Sequence, residues 1–255
     1  MKRRHFIKAF LAGLTLPLQA LAALWNKPAF EAEALPNAVQ ALQINAEEHS
    51  DQISIIAPEK AENGAVVQVE IQSNLANTEA IALFVEGNPT PLIANFMLHT
   101  TVKPRLVTRI KMAATSDVKV IAKVGQRYYT NSKKVVVLED GCGGGDVEGK
   151  FETSIKMRAK LVDALTELKA IIVHPMSTGR AKGDKGNIIP AHFIQTMQVS
   201  LNGLPIIEAQ LGTGIAKNPY FTFYLEKASA GQAVELKWQD NQAYQGEGKV
   251  SVSVA

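Results

Sequence analysis

The sequence of 255 residues contains one cysteine, Cys142. That excludes an internal disulfide, a dithiol redox pair and a cysteine-based zinc site. It also lacks a charge excess of one sign. The formal balance of +3 arises from Lys2, Arg3, Arg4 and Lys8, in a stretch (1–22) with no acid. Without those four, 23 basic residues face 24 acidic ones, a net of −1, so no electrostatic case remains for a nucleic-acid partner. No run of ~20 apolar residues follows residue 22, so the chain beyond it is expected to be soluble and not membrane-bound. The glycines match neither a P-loop nor a dinucleotide fingerprint, because the strand–turn–helix context and spacing are missing. The histidines lack ligand spacing. Neither a cofactor nor a metal is expected.

What is present begins with a leader. Lys2-Arg3-Arg4 precedes an apolar stretch from Phe6 to Leu18, broken by Gly13 and Pro17, and Ala20-Leu21-Ala22 supplies a small-x-small cleavage pattern. Residues 1–22 therefore read as a cleaved signal peptide. Arg3-Arg4-His5-Phe6-Ile7-Lys8 is similar to the twin-arginine motif, which implies export of a folded protein to the bacterial periplasm. The apolar stretch is too short and too interrupted to span ~30 Å of hydrocarbon.

Ala29 to Leu42 has loosely helical apolar spacing and predicts a short leading helix. From Ile53 the pattern changes to short strand-like runs: Ile53–Ile56, Val66–Ile71, Ile81–Val85, Asn95–Thr101, Leu106–Met112, Val118–Val124 and Tyr128–Leu138. Turn signals such as Glu62-Asn63-Gly64 and Gly87-Asn88-Pro89 separate them. A second series follows from near Met157, and its clearest local signal is Asn202-Gly203, a pair suited to a tight hairpin turn. The expected fold is all-β: two immunoglobulin-like β-sandwich domains joined by a Gly-rich linker, with a short N-terminal helix after the signal peptide. The expected boundaries are 1–22 for the leader, 23–138 for the first sandwich with its helix, 139–154 for the linker and 155–255 for the second sandwich. The linker's 16 residues extend to ~55 Å at most.

Cys142 lies in that linker, within Asp140-Gly141-Cys142-Gly143-Gly144-Gly145-Asp146. A thiolate forms and releases bonds to other sulfur atoms by exchange. A thiol that must enter several pockets needs a thin arm. Gly141, Gly143, Gly144 and Gly145 place no Cβ next to the sulfur and leave many backbone states open. The arm from Leu138 to Cys142 spans at most ~14 Å. Covalent substrate attachment at Cys142 is therefore one reading. The segment also reads as a plain flexible linker that happens to hold a cysteine. A cysteine hydrolase requires a partnering histidine on a rigid element, and after cleavage His49, His99, His174 and His192 remain. His174 and His192 read as turn or interface residues, and no catalytic residue is assigned. Arg180, Lys182 and Lys185, interspersed with Gly179, Gly183 and Gly186, read as a solvated basic turn or as a docking patch for an acidic partner.

At these residues the chain resembles the SoxY and SoxZ subunits of the SoxYZ sulfur carrier, joined in that order. Residues 38–146 are similar to SoxY through Ile55-Ile56-Ala57-Pro58, Ala61-Glu62-Asn63-Gly64, Gly87-Asn88-Pro89-Thr90-Pro91-Leu92-Ile93-Ala94-Asn95-Phe96, Val107-Thr108-Arg109-Ile110-Lys111-Met112-Ala113 and Gly141-Cys142-Gly143-Gly144. Residues 157–254 are similar to SoxZ through His174-Pro175-Met176-Ser177-Thr178-Gly179, Ile189-Pro190-Ala191-His192-Phe193-Ile194 and Ala216-Lys217-Asn218-Pro219-Tyr220. The resemblance implies a non-enzymatic carrier for periplasmic thiosulfate oxidation. Thiosulfate or a related sulfur species would be carried on Cys142, and Gly141, Gly143 and Gly144 match the swinging arm. The implied partners are SoxAX-like, SoxB-like and sulfane dehydrogenase-like enzymes. Two departures stand out. Asp140 replaces the first glycine of the family motif, adding a charge that opposes an incoming anion. The family's cysteine also lies near a free C-terminus, whereas this chain continues. Fused carriers of this type also occur beside periplasmic quinoprotein dehydrogenases, so a scaffold role for such an enzyme is the alternative.

Overall fold

The computed structural model describes residues 25–139, 152–183 and 186–254. The leader, Lys185 and the arm residues Gly141, Cys142, Gly143, Gly144 and Gly145 lie outside the described residues.

Among the described residues two short helices come first, α1 (Lys27–Phe30) and α2 (Leu35–Ala41). The single helix predicted over Ala29–Leu42 is thus divided, and the prolines explain why. Pro28 and Pro36 each occupy the first turn of their own helix, where the missing N–H has no intrahelical partner to lose. Inside one longer helix, Pro36 would remove a hydrogen bond and clash with the preceding turn.

Seventeen strands follow among the described residues. The first half supplies β1 (Glu48–His49), β2 (Ile53–Ile56), β3 (Lys60–Ala61), β4 (Val67–Ser73), β5 (Ala80–Val85), β6 (Leu92–Leu98), β7 (Val102–Ile110), β8 (Ser116–Val124) and β9 (Arg127–Val137). The second supplies β10 (Ile155–Val162), β11 (Leu165–Ile172), β12 (Ile194–Leu201), β13 (Leu204–Leu211), β14 (Tyr220–Leu225), β15 (Ala233–Asp240), β16 (Gln245–Ser251) and β17 (Ser253–Val254). The patterning follows burial. In β4, Val67, Val69 and Ile71 turn inward while Gln68 is exposed, as one covered face requires. The unbroken apolar run of β5 has both faces covered: Ile81, Leu83 and Val85 join the main core, and Ala82 and Phe84 pack under α1 and α2. Asn202 and Gly203 adopt φ of 50° and 81° between β12 and β13, the paired positive values of the expected hairpin.

Both halves contribute to the same two sheets. One has ten strands, with β3 attached to β9 and the rest ordered β1-β9-β8-β5-β6-β13-β12-β15-β16. The other has seven, ordered β17-β10-β11-β14-β7-β4-β2. The halves join at β6–β13, in register from Leu98↔Ile207 to Ala94↔Leu211, and at β7–β14, from Thr108↔Phe221 to Val102↔Leu225. The second ladder steps past Pro104 and Arg105, where proline has no N–H to give. Between the sheets, Phe96 of the first half packs edge-on against Phe221 and Phe223 of the second, with centroids 6.2 and 6.1 Å apart. A single apolar core therefore runs through both sandwich halves.

Candidate functional site

The ends of the Cys142 segment are anchored by backbone bonds. On the outgoing side, β3 lies parallel to the end of β9, with Ala61 opposite Val137. Val136 N–H donates to Glu59 O at 2.9 Å and Leu138 N–H to Ala61 O at 3.0 Å. Gly64 N–H then donates to Glu139 O at 2.8 Å, and Met112 N–H donates to Gly64 O at 2.7 Å. On the return side, Val173 N–H donates to Ser154 O at 2.8 Å, and Thr153 Oγ1 donates to Val173 O at 3.0 Å. The chain therefore departs from a fixed strand end on the first half and re-enters beside β11 of the second.

A buried polar cluster lies next to the return anchor in sequence; its histidines read in the sequence as turn or interface residues, and its aspartate carries no local signal. His174, adjacent to Val173, is buried, as is Asp240 at the end of β15. His174 Nε2 lies 3.2 Å from Asp240 Oδ2 and His192 Nε2 lies 2.7 Å from the same oxygen. Asp240 Oδ1 accepts the Gln242 and Tyr244 N–H groups at 2.9 and 2.8 Å. Burial acts to raise the Asp240 carboxyl, but bonds from His174, His192 and the two backbone N–H groups outweigh it and hold its pKa below the usual carboxylate value. Desolvation lowers the pKa of His174, against the opposing bond to Asp240. Asp240 is 66 and 48 residues from its two histidine partners, so no local spacing pointed to it.

The three ligand atoms lie within 4.8 Å of one another, close enough for one ion to touch all three. The proton inventory opposes a metal. Met176 N–H donates to His174 Nδ1 at 3.1 Å, so the neutral ring carries its one proton on Nε2 and gives it to Asp240. A metal on Nε2 would need an imidazolate, whereas metal-binding histidines donate their other N–H to an acceptor. The cluster is structural: it ties the segment around His174 and His192 to the end of β15. The sequence gives these histidines no ligand-spaced partner, whereas the fold brings both to Asp240 and buries His174.

Lys111 extends the polar chain across the junction between the halves. It is buried near the end of β7, and its Nζ donates to the carbonyls of Met176 and Thr213. Asn88 clamps the same region: its Nδ2 donates to Lys111 O at 2.8 Å and its Oδ1 accepts Ala113 N–H at 2.8 Å. Arg180 and Lys182 are exposed on the turn predicted to be solvated. His49 is exposed and bonded to Asp51, and His99 is also exposed. Among the described residues, the His174–His192–Asp240 cluster is the gathered set of metal-ligating side chains.

Comparison with known proteins matches two family models to the chain in sequence. The family described as "Sulfur oxidation protein SoxY" matches residues 39–142, and that described as "Sulphur oxidation protein SoxZ" matches residues 155–251. Among solved structures, the chain is similar to the sulfur carrier protein SoxY from Chlorobium limicola f thiosulfatophilum, at 32% identity, covering 44% of this chain and 99% of that one, with a TM-score of 0.39. It also aligns with a beta-glycosidase from Bacteroides vulgatus at 10% identity over 85% of this chain and 26% of that one, with a TM-score of 0.26. No curated protein matches.

Proposed function

The chain is a SoxY unit followed by a SoxZ unit in one polypeptide, a fused SoxYZ of the sulfur-oxidation carriers, and from that premise we propose that it carries thiosulfate-derived sulfur covalently on Cys142 in the periplasm. The observation that carries the reading is where the SoxY match stops. It ends at residue 142, the position of the chain's single cysteine, and the SoxZ match begins at 155.

The chemistry assigned to Cys142 is that of a handle. The thiolate joins thiosulfate to give Cys–S–S–SO3⁻ as two electrons leave to an external acceptor, a haem c enzyme of the SoxAX type. Water then cleaves the terminal S–S bond through a SoxB-type hydrolase, giving Cys–S–S⁻, sulfate and two protons. A sulfane dehydrogenase, where present, oxidises what remains. The chain supplies the sulfur atom, its glycine neighbours and two anchored ends, and catalysis belongs to the partners. The basic leader with Arg3-Arg4 and Ala20-Leu21-Ala22 supports export.

Tetrathionate tests the handle without any partner. Attack of the Cys142 thiolate on its central S–S bond gives Cys–S–S–SO3⁻ and releases thiosulfate. Chain recovered from the periplasmic fraction of its own cells should gain one such group at Cys142, removable by reductant, and Cys142→Ser should abolish thiosulfate consumption in those cells. Undiminished consumption by the Cys142→Ser strain would overturn the carrier role. Recovery from the cytoplasm alone would overturn the export part.

A further inference from the structure

The arm's outgoing anchor sits beside an open groove of about 670 Å³, and the sequence explains its existence. Strand β2 pairs with β4 only as far as Ile56↔Glu70. The chain then leaves that sheet through Ala57-Pro58 and joins β9 of the other sheet as β3. Asn74 N–H donates to Gln52 O at 2.8 Å. By the alternation of an antiparallel ladder, Gln72, Glu70 and Gln68 turn their backbone groups to the β2 side. Pro58 stands where Gln68's partner would lie, and it has no N–H. Among the described residues, no hydrogen bond reaches the Gln68 main chain on that side. The uncovered edge opens into the groove, between Ile56 and Val66.

The side chains around this edge are unusual for solvent. Ile56 is 59% exposed, Val66 53% and, one residue past the end of β9, Leu138 64%. Glu62 lines the groove, and Glu59 and Glu139 are exposed on the chain next to it, with Lys60 of β3 and Lys134 of β9 as exposed cations. None of these three acids takes part in an ion pair among the described residues.

Resting on the carrier reading, we propose that this groove is where the cargo-processing enzymes dock, each by adding an extended segment to the Gln68 edge of β4. The occupant's chemistry follows from the surface: a strand-forming stretch with an apolar side chain to sit between Ile56 and Val66, flanked by Lys or Arg facing Glu62 and the exposed glutamates next to the groove. Main-chain bonds supply affinity and the pocket supplies selection, as in strand addition generally. The acidic rim steers the approach. Gly64, whose N–H holds Glu139 O, follows Glu62 and Asn63 of the groove lining, so a docked enzyme is held beside the anchor where the Cys142 arm begins.

The test measures binding of the full mature chain to purified SoxB-type and SoxAX-type enzymes of the same organism. Gln68→Pro removes the open N–H and should weaken binding at least tenfold, while Gln68→Ala, which keeps it, should not. Val66→Asp should weaken binding similarly, and Leu204→Asp, at the exposed start of β13, should leave it unchanged. Thermal unfolding checks that each variant is folded. Tetrathionate charging of Cys142 should be the same in all. Equal weakening by Gln68→Ala and Gln68→Pro, unchanged binding in Val66→Asp, or no binding by the wild-type chain overturns the docking proposal. Failure of wild-type Cys142 to be charged at all would count against the carrier reading instead.

Discussion

At the scale of single residues, His174 has the most to lose in acid. It is buried, its Nδ1 is occupied by the Met176 N–H, and its proton is committed to Asp240. Its pKa is lowered in the fold, so as the pH falls through the unfolded value near 6.5 the unfolded chain takes up a proton that the native one resists. Stability from this source is present above that value and is lost below it, at up to about 1.4 kcal/mol per pH unit. The lowered Asp240 adds a second loss, which develops as the pH falls below its unfolded value near 3.8. Urea titrations at pH 7.5 and 5.5 should show the wild type losing stability on acidification, and His174→Gln should flatten that dependence while lowering stability at both values. The histidines read in the sequence as turn or interface residues. Their acceptor was not legible, because Asp240 arrives from another strand and no periodicity links it to them.

At the scale of elements, the turn Gly87-Asn88-Pro89 was legible as punctuation, and Asn202-Gly203 as a hairpin whose type the backbone angles bear out. The load placed on Asn88 was not legible. Its side chain is buried and holds Lys111 O and Ala113 N–H at once, pinning the β5–β6 turn to the end of β7. Asn88→Ala leaves those two backbone groups without their partner, so a loss of about 1–3 kcal/mol is expected in a denaturation midpoint assay. The N-terminal helical element was legible, and its division in two was not, for a local reason. Apolar spacing spoke for one helix over Ala29–Leu42, and it gave no weight to a proline that can only begin a helix. Strand existence was clear wherever one face met solvent, as in β4, and strand neighbours were not, since alternation carries no information about which strand lies alongside.

At the scale of the whole molecule, the sequence reading placed two sandwiches on a linker, and the structure places them in two shared sheets. The difference lies in long-range pairing. The β6–β13 and β7–β14 ladders and the Phe96–Phe221–Phe223 contacts leave neither half with a complete core. Urea unfolding should therefore be one transition reported alike by probes in either half. Phe96→Ala should lower its midpoint by an amount equivalent to about 3–5 kcal/mol without splitting it in two. Two separated transitions would mean that the halves fold independently. For the cysteine site, the lone thiol, its glycine neighbours and the family likeness were all legible, whereas the anchors and the groove beside them depend on pairing across the molecule.

The Gly64–Glu139 bond also sets a limit on distance. Cys142 is three residues beyond Glu139, so with that carbonyl fastened its sulfur-bearing residue can travel no more than ~11 Å from the anchor. The longer return side, down to Ser154, cannot extend this range, because the shorter tether governs. On the proposed carrier role, an enzyme that works on cargo at Cys142 would need its reacting centre near its own surface, within a stride of the place where the two bodies touch. A catalyst with its centre at the bottom of a deep shaft would be out of range, however well it matched the cargo.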